Sequence, residues 1–443
     1  MPSVMWFRRD LRLADNPALV EACADGEVLP LFVLDPALWG PAGPSRKAYL
    51  AASLRALDAS LEQRGARLQV VRGNPVRRVP LAAKEIGADR VHVAADYGPY
   101  GHRRDTDVEQ ALAVHDVGLV RTGSPYAVAP GRVTKDDGTP YRVFTPFSKA
   151  WTQHGWRDPI DAPTGVSWAT LDETTDLPDP TLPAGLELPE AGERAAHRRW
   201  EEFRDGPLAD YKTDRDKPGV DGTSRLSVHL KYGEVHPRTL LADLSGHRGA
   251  GVATYRNELC WREFYADVLW QHPESARDYL RPEYAEMEYD EPDGALTAWQ
   301  LGRTGYPVVD AGMRQLRATG WMHYRVRMIA ASFLVKDLHI EWQYGARHFL
   351  HWLVDGDLAS NQHGWQWVAG SGTDAAPYFR VFNPVSQGRK FDPDGSYVRR
   401  WVTELADDPD PHEPGARNGY PGPIVDHAEE RREALDRWER IRR

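Results

Sequence analysis

Residues 28–34 read VLPLFVL, seven positions without a charged or polar side chain. A short run that is apolar on both faces suits a strand covered on both sides, rather than one edge of a half-wet sheet. Similar runs flank it: VMWF at 4–7, RLQVV at 67–71, RVHVA at 90–94 and LVR at 119–121. Amphipathic stretches at about 16–24, 45–63, 76–86 and 103–115 separate them. Strands and helices alternating in this order predict an α/β, doubly wound, Rossmann-like parallel sheet, with ligands near the carboxyl ends of its strands. Fold alone assigns no chemistry.

Beyond the sheet the pattern changes. From Tyr126 to about Pro189 the chain is rich in Pro, Gly, Thr and Asp without sustained periodicity, which predicts an interdomain connection over 126–194. The α/β domain then occupies 1–125 and an all-α domain 195–443. In VRMIAASFLVKDL, helical spacing puts Val326, Ile329, Ala330, Phe333 and Leu334 on one stripe. No internal repeat emerges.

Composition narrows the function classes. The 443 residues suffice for two or three domains. Only Cys23 and Cys260 occur, without C-x-x-C spacing, so neither a disulfide framework nor a thiolate metal site has support. The 16 histidines form no H-E-x-x-H or Cys/His set, and no metal is expected. MPSVMWFRRD lacks the apolar core of a secretion leader and no later segment has the length of a membrane span, which reads as a cytoplasmic protein. The formal charge of -10 argues against a nucleic-acid partner. Acidic residues, however, gather at 172–193 and 404–439, while basic residues stand beside aromatics in RVTKDDGTPYRVFTPFSKAW, HYRVRM and YFRVFNPVSQGRK. Solvated surface charge is the ordinary reading of each run, and a local basic groove is the alternative. GSGTDA at 370–375 formally fits a dinucleotide fingerprint, but it follows a Trp-rich helical stretch rather than a strand.

Nine of the 16 tryptophans lie between Trp261 and Trp401. Core packing explains most tryptophans. In NELCWREFY, however, Glu258, Trp261, Arg262 and Tyr265 fall at i, i+3, i+4 and i+7, giving one helix face a carboxylate, two aromatics and a guanidinium. In WQW, Trp365 and Trp367 point to nearly opposite sides of a helix at about 100° per residue. The segment DGTSRLSVHLKYG opens on the N-cap residues Thr223 and Ser224 and closes on Gly233, so it reads as a capped helix whose free N–H groups suit a phosphate.

Together MWFRRDLRLADNPAL, YKTDRDKPGVDGTSRLSVHLKYG, NELCWREFY, GWMHYRVRM, DGDLASNQHGWQWVAGSGTDAAPYFRVFNP and GYPGPIVDH resemble the DNA photolyase and cryptochrome family over nearly the whole chain. Its class I cyclobutane pyrimidine dimer photolyases are the nearest branch. The resemblance implies the photolyase fold, with FAD bound in the helical domain by Thr223, Ser224, Arg225, Leu226, Ser227 and Arg262. It also implies that Tyr211, Tyr255, Arg327, Asp355, Asp357 and Asn361 line the flavin, with Asn361 facing the ring nitrogen protonated on reduction.

By the same resemblance, UV-damaged DNA is the partner and a flipped-out dimer the substrate. Trp261 and Trp367 are its aromatic walls, Met328 a further wall, and Glu258 the acid that hydrogen-bonds the pyrimidine edge. Arg215, Tyr324, Arg325, Arg380 and Lys390 match DNA-contacting positions, the four cations gripping phosphates. Trp365, Trp342 and Tyr289 match an electron relay, although tyrosine at 289 departs from the usual tryptophan. Tyr324 departs likewise, since asparagine is common there. The paired histidines of (6-4) photoproduct enzymes are absent, which favours cyclobutane dimers. DYGPYGHRRD and PSRKAYLAASLRAL resemble binders of an 8-hydroxy-5-deazaflavin antenna, with methenyltetrahydrofolate as the alternative, and Asp35, Arg46, Lys47, Asp96 and Arg104 are candidate contacts. A cryptochrome receptor is the rival reading. Retained Asn361, an intact pocket and the lack of a long tail after Arg443 weigh against it. The protein is expected to be a monomer without an obligate protein partner.

Overall fold

The computed structural model describes residues 1–373, 379–417 and 419–442. Five strands, β1 (Ser3–Phe7), β2 (Val28–Leu34), β3 (Gln69–Arg72), β4 (Arg90–Val93) and β5 (Gly118–Arg121), form one parallel sheet in the order β3-β2-β1-β4-β5. Met5 of central β1 pairs with Pro30 of β2 and with His92 of β4. Every residue of β2 is buried, as a strand apolar on both faces requires.

Helices Pro17–Asp25, Pro44–Glu62, Pro75–Glu85 and Pro99–Ala113 cover the sheet. All four begin on proline, whose fixed φ and missing N–H suit the first helical position. That proline starts the last helix at 99, upstream of the expected 103.

The remainder is helical. Ala250–Gln271 is the longest element; Leu358–Ala369 packs against it and against Tyr324–Lys336 and Trp342–Trp352, which also pack on each other. The expected stripe Val326, Ile329, Ala330, Phe333 and Leu334 is wholly buried. Among the tryptophans, Trp6, Trp200, Trp299 and Trp342 are nearly or fully buried core residues. No helix among the described residues is long and apolar enough to cross a membrane.

Two local readings differ from the structure. The expected connection carries a helix, Phe144–His154, whose Phe144, Phe147 and Trp151 share a core with Trp200, Tyr255 and Phe264. Buried Glu263 ties it down by accepting from Ala127 N (2.5 Å), Val128 N (2.9 Å) and Trp151 Nε1 (2.6 Å). Pro146 sits in that helix's first turn, where an N–H has no intrahelical acceptor anyway. The second difference concerns Thr223 and Ser224. The helix there runs Ser227–Tyr232 with Leu226 at the N-cap, because Arg225 takes a left-handed backbone (φ 54°) that helix cannot include. Ser224 Oγ accepts from Leu226 N at 3.3 Å instead, and Gly233 (φ 70°) stops the helix as expected. In GSGTDA, Gly370 terminates Leu358–Ala369, while residues 374 and 375 lie outside the described residues.

Candidate active site

A cavity of about 710 Å³ opens between Ala250–Gln271, Tyr324–Lys336 and Leu358–Ala369. The predicted face Glu258, Trp261, Arg262 and Tyr265 lines it together. One part of its wall is a polar cradle. Asp355 accepts from Ser227 Oγ (2.6 Å) and from Arg327 (2.8 Å). Asp357 caps Leu358–Ala369 through Ser360 N (3.1 Å) and pairs with Arg9 at 2.7 Å, so the α/β domain reaches into the site. Burial opposes the Asp357 charge, but Arg9 and Arg262 outweigh it and hold the carboxyl below its usual range. Asn361 Nδ2 donates to Ala346 O (3.1 Å) and Gln362 Oε1 (2.8 Å), leaving its amide oxygen to meet a ligand. Two guanidinium groups, a hydroxyl and that amide oxygen in a cavity of this size fit a large ligand carrying phosphates and a planar polar ring.

The other wall holds Glu258, Trp261, Met328 and Trp367 beside Arg215, Tyr324, Arg325 and Arg380. Glu258 pairs with Arg215 at 2.5 Å, and burial pushes its carboxyl up against the pull of that arginine. Tyr324 fills its unusual position by accepting from Arg215 Nε at 2.9 Å and donating to Asp216, which also pairs with Arg325 at 2.8 Å. Trp261 lies flat on Phe144, with ring centroids 3.6 Å apart and planes 6° apart.

Not every expected residue reaches the cavity. Tyr211 and Tyr255 are buried behind it, in edge contact with each other, and Tyr255 donates to Ser224 Oγ at 3.0 Å. Leu226 is core, Thr223 O accepts from Arg199, and Arg225 pairs with Asp221 at 3.1 Å. Lys390 is exposed in the helix Pro384–Phe391, away from the lining. Of the relay candidates, Trp365 lines the cavity, Trp342 is fully buried and Tyr289 half-buried. Trp365 faces Phe349 and Trp299 in the core, whereas Trp367 is only half-buried at the opposite wall. Sequence reasoning did not single out Arg9, Asp216 or Phe144. Asp216 carried one usable signal, an acid next to a cation in TDRDKPG.

A second cavity, about 300 Å³, lies at the carboxyl ends of β1 and β2. Asp35, Arg46, Lys47, Asp96 and Arg104 all line it, as do the rings Trp6, Trp39 and Tyr100. Gly356 and Asp357 wall both cavities. Lys231 also lines it, its ammonium pushed down to about 7 by burial and by Arg46 and Arg9.

Residues 3–164 match the family model described as DNA photolyase, and residues 255–440 match the FAD-binding domain of DNA photolyase. A deoxyribodipyrimidine photo-lyase of Streptomyces griseus is 43% identical over 99% of both chains. The chain belongs to the DNA photolyase family. A bacterial class III photolyase of Agrobacterium tumefaciens shares the photolyase fold with TM-score 0.93 and 36% identity, over 100% of this chain and 98% of that one. An archaeal photolyase of Sulfolobus tokodaii, solved with two FAD molecules, follows at TM-score 0.87 and 30% identity, over 99% and 100%. The match to an FAD-binding domain supports FAD as the cofactor class, and the chemistry of the Arg262, Arg327, Ser227 and Asn361 set fits such a ligand.

Proposed function

We propose that this photolyase opens cyclobutane pyrimidine dimers in UV-damaged DNA under blue light. The observation that carries the reading is one cavity with two chemistries: a cradle for phosphates and a polar ring on one side, and an aromatic wall with a carboxylate on the other. A dimer rotated out of a duplex meets Trp261 and Trp367 as stacking surfaces and Met328 as an apolar wall. Its unstacking is cheaper than that of a normal base, which favours damaged over intact sites. Reduced FAD, when bound, supplies the light-driven electron that returns after ring opening.

The chain's own residues prepare that transfer. Glu258, whose carboxyl burial pushes up, is the group that in its protonated form donates to a pyrimidine carbonyl as negative charge develops there. Arg215 holds it in the free protein at 2.5 Å. A DNA phosphate competes with Glu258 for that guanidinium, so binding and release of the acid are coupled. Arg325 and Arg380 border the same opening and suit the flanking phosphates, which position the strand without reading sequence.

For the second cavity the reading is an antenna of the 8-hydroxy-5-deazaflavin type. The rings of Trp6, Trp39 and Tyr100 suit a planar chromophore, and Arg46, Lys47 and Lys231 suit an anionic one. Mass spectrometry of the extracted chromophores distinguishes it from a folate or a second flavin.

Blue-light repair of a dimer-containing oligonucleotide by the reduced protein tests the main reading. Thymine absorbance should return only in the light, and Glu258→Ala should repair less while retaining flavin. Absence of repair by the flavin-loaded, reduced protein overturns the reading in favour of a receptor.

A further inference from the structure

Trp342 and Tyr289 align with a relay, yet the structure puts a third ring between them. Tyr279 is in edge contact with Trp342, centroids 6.1 Å apart and planes at 82°, and stacks on Tyr289 at 6.4 Å and 17°. Among the described residues it is the ring that touches both. On the inner side, Trp365 sits directly on the helix that Trp342 begins: a Cβ added at Gly345 would lie 2.0 Å from its indole. Trp365, Trp342, Tyr279 and Tyr289 thus run from the cavity wall outward.

Tyr279 also has what the two tryptophans lack. The indole N–H groups of Trp342 and Trp365 are buried and, among the described residues, have no acceptor to take a proton from an oxidised ring. The Tyr279 phenol donates to Glu341 Oε1 at 3.0 Å, and Glu341 is the residue immediately before Trp342. Burial, with Tyr289 and Glu341 beside it, raises this phenol well above the ordinary tyrosine range and keeps it neutral until it is oxidised. A phenol that has lost an electron is a strong acid, and a carboxylate in hydrogen-bond contact is the acceptor it needs.

From this geometry we infer that Tyr279, with Glu341 as its proton acceptor, is the residue that traps the oxidising equivalent leaving Trp342 during photoreduction of the flavin. The inference rests on the flavin reading above. Trp365, oxidised by the light-excited cofactor, takes an electron from Trp342, and Trp342 takes one from Tyr279. As that electron leaves, the phenolic O–H bond breaks and its proton passes to Glu341, leaving a neutral tyrosyl radical and a neutral carboxylic acid. The electron given up resides on the flavin. Charge separation persists because the return step must recover both particles, and Tyr289 stands outside as the ring through which the radical is discharged.

The test is electron paramagnetic resonance of the illuminated holoprotein with oxidised flavin, prepared with ordinary and with ring-deuterated tyrosine. Wild type should give a tyrosyl signal that narrows on deuteration. In Tyr279→Phe that signal should be lost, whereas in Tyr289→Phe it should persist. Glu341→Gln should slow its formation and remove the solvent deuterium effect on its rise. Tyr279→Trp guards against trivial misfolding, since an aromatic of similar reach should restore photoreduction with a tryptophanyl signal. A full tyrosyl signal in Tyr279→Phe overturns the inference. So does an unchanged rate and isotope effect in Glu341→Gln. Dimer opening by chemically reduced Tyr279→Phe should equal that of wild type, because repair bypasses the relay. Failure of wild type to repair would count against the enzyme reading alone.

Discussion

Asn361 and Asp267 illustrate how a single buried group is tuned. Asn361 stands in a cavity already holding Asp355 and Asp357, and both of its amide hydrogens are engaged. Replacing it with aspartate adds a further carboxylate to Asp355, Asp357 and Glu258 of the same cavity and removes two donors, which disfavours negative charge on a reduced ring nearby. Asn361→Asp should therefore lower the flavin reduction potential, read by spectroelectrochemistry; an unchanged potential would detach the residue from the ring. Asp267 is almost wholly buried and accepts from Gly131 N (2.6 Å), and its other oxygen has no partner among the described residues. Burial pushes its carboxyl up to about 6 from 3.8, with the Gly131 N–H pulling the other way. The folded state therefore holds a proton that the unfolded chain releases, so this contribution is full below pH 3.8 and is lost as pH rises through about 6. About two pH units correspond to ~3 kcal/mol. Urea unfolding should show Asp267→Asn gaining up to that much on wild type between pH 4 and pH 7, while equal slopes in the two proteins would remove the argument.

At the level of elements, the helix Phe144–His154 matters most, because its first residue backs a wall of the proposed lesion pocket. Phe144 is buried and parallel to Trp261, so it fixes the plane of the ring proposed to receive a dimer. Phe144→Leu keeps an apolar filler but loses the flat support. Dimer-containing DNA should bind more weakly by about 1 kcal/mol, the scale of one aromatic pair, with flavin content unchanged. Equal affinity by fluorescence anisotropy would show that Trp261 needs no backing. This helix was also the least legible part of the sequence. FTPFSKAW places Phe144, Phe147 and Trp151 at i, i+3 and i+7, but Pro146 and the surrounding Gly, Thr and Asp masked a single short period. The sheet was legible because β2 is apolar on both faces and amphipathic stretches separate the strands, whereas the proline that starts the last covering helix at 99 went unread. On the helix Ala250–Gln271, spacing alone brought Glu258, Trp261, Arg262 and Tyr265 to one cavity. The start of Ser227–Tyr232 was not legible, since a left-handed Arg225 leaves no mark in composition. Nor was Tyr279, whose importance comes from rings contributed by elements distant in sequence.

For the whole molecule, the question is what keeps two halves of different architecture in register, since Asp357 walls both cavities and Arg9 crosses from one half to hold it. Beside an apolar cluster that includes Phe7, Leu11, Val228 and Val354, buried polar contacts cross the seam. Glu234 is fully buried and accepts from Ser53 Oγ (2.5 Å), Tyr49 OH (2.8 Å) and Gly192 N (2.7 Å), with His229 Nδ1 at 2.5 Å. Asp15 and Arg238 pair across the same seam at 2.7 Å, both nearly inaccessible. Such contacts add little net stability when complete and cost much when broken, because each leaves polar groups buried without partners. Glu234→Ala abandons two hydroxyls, an amide and an imidazole at once and should cost about 3–5 kcal/mol. Glu234→Gln retains one acceptor oxygen and should cost less. The location of the loss is as informative as its size. Tyr49 and Ser53 lie on the helix Pro44–Glu62, which also supplies Arg46 and Lys47 to the second cavity. Loosening the seam should therefore release the proposed antenna chromophore before the flavin, giving a two-phase denaturant transition followed by absorbance. A single coincident transition at the wild-type midpoint would mean that hydrophobic packing, not this network, sets the relation between the cavities.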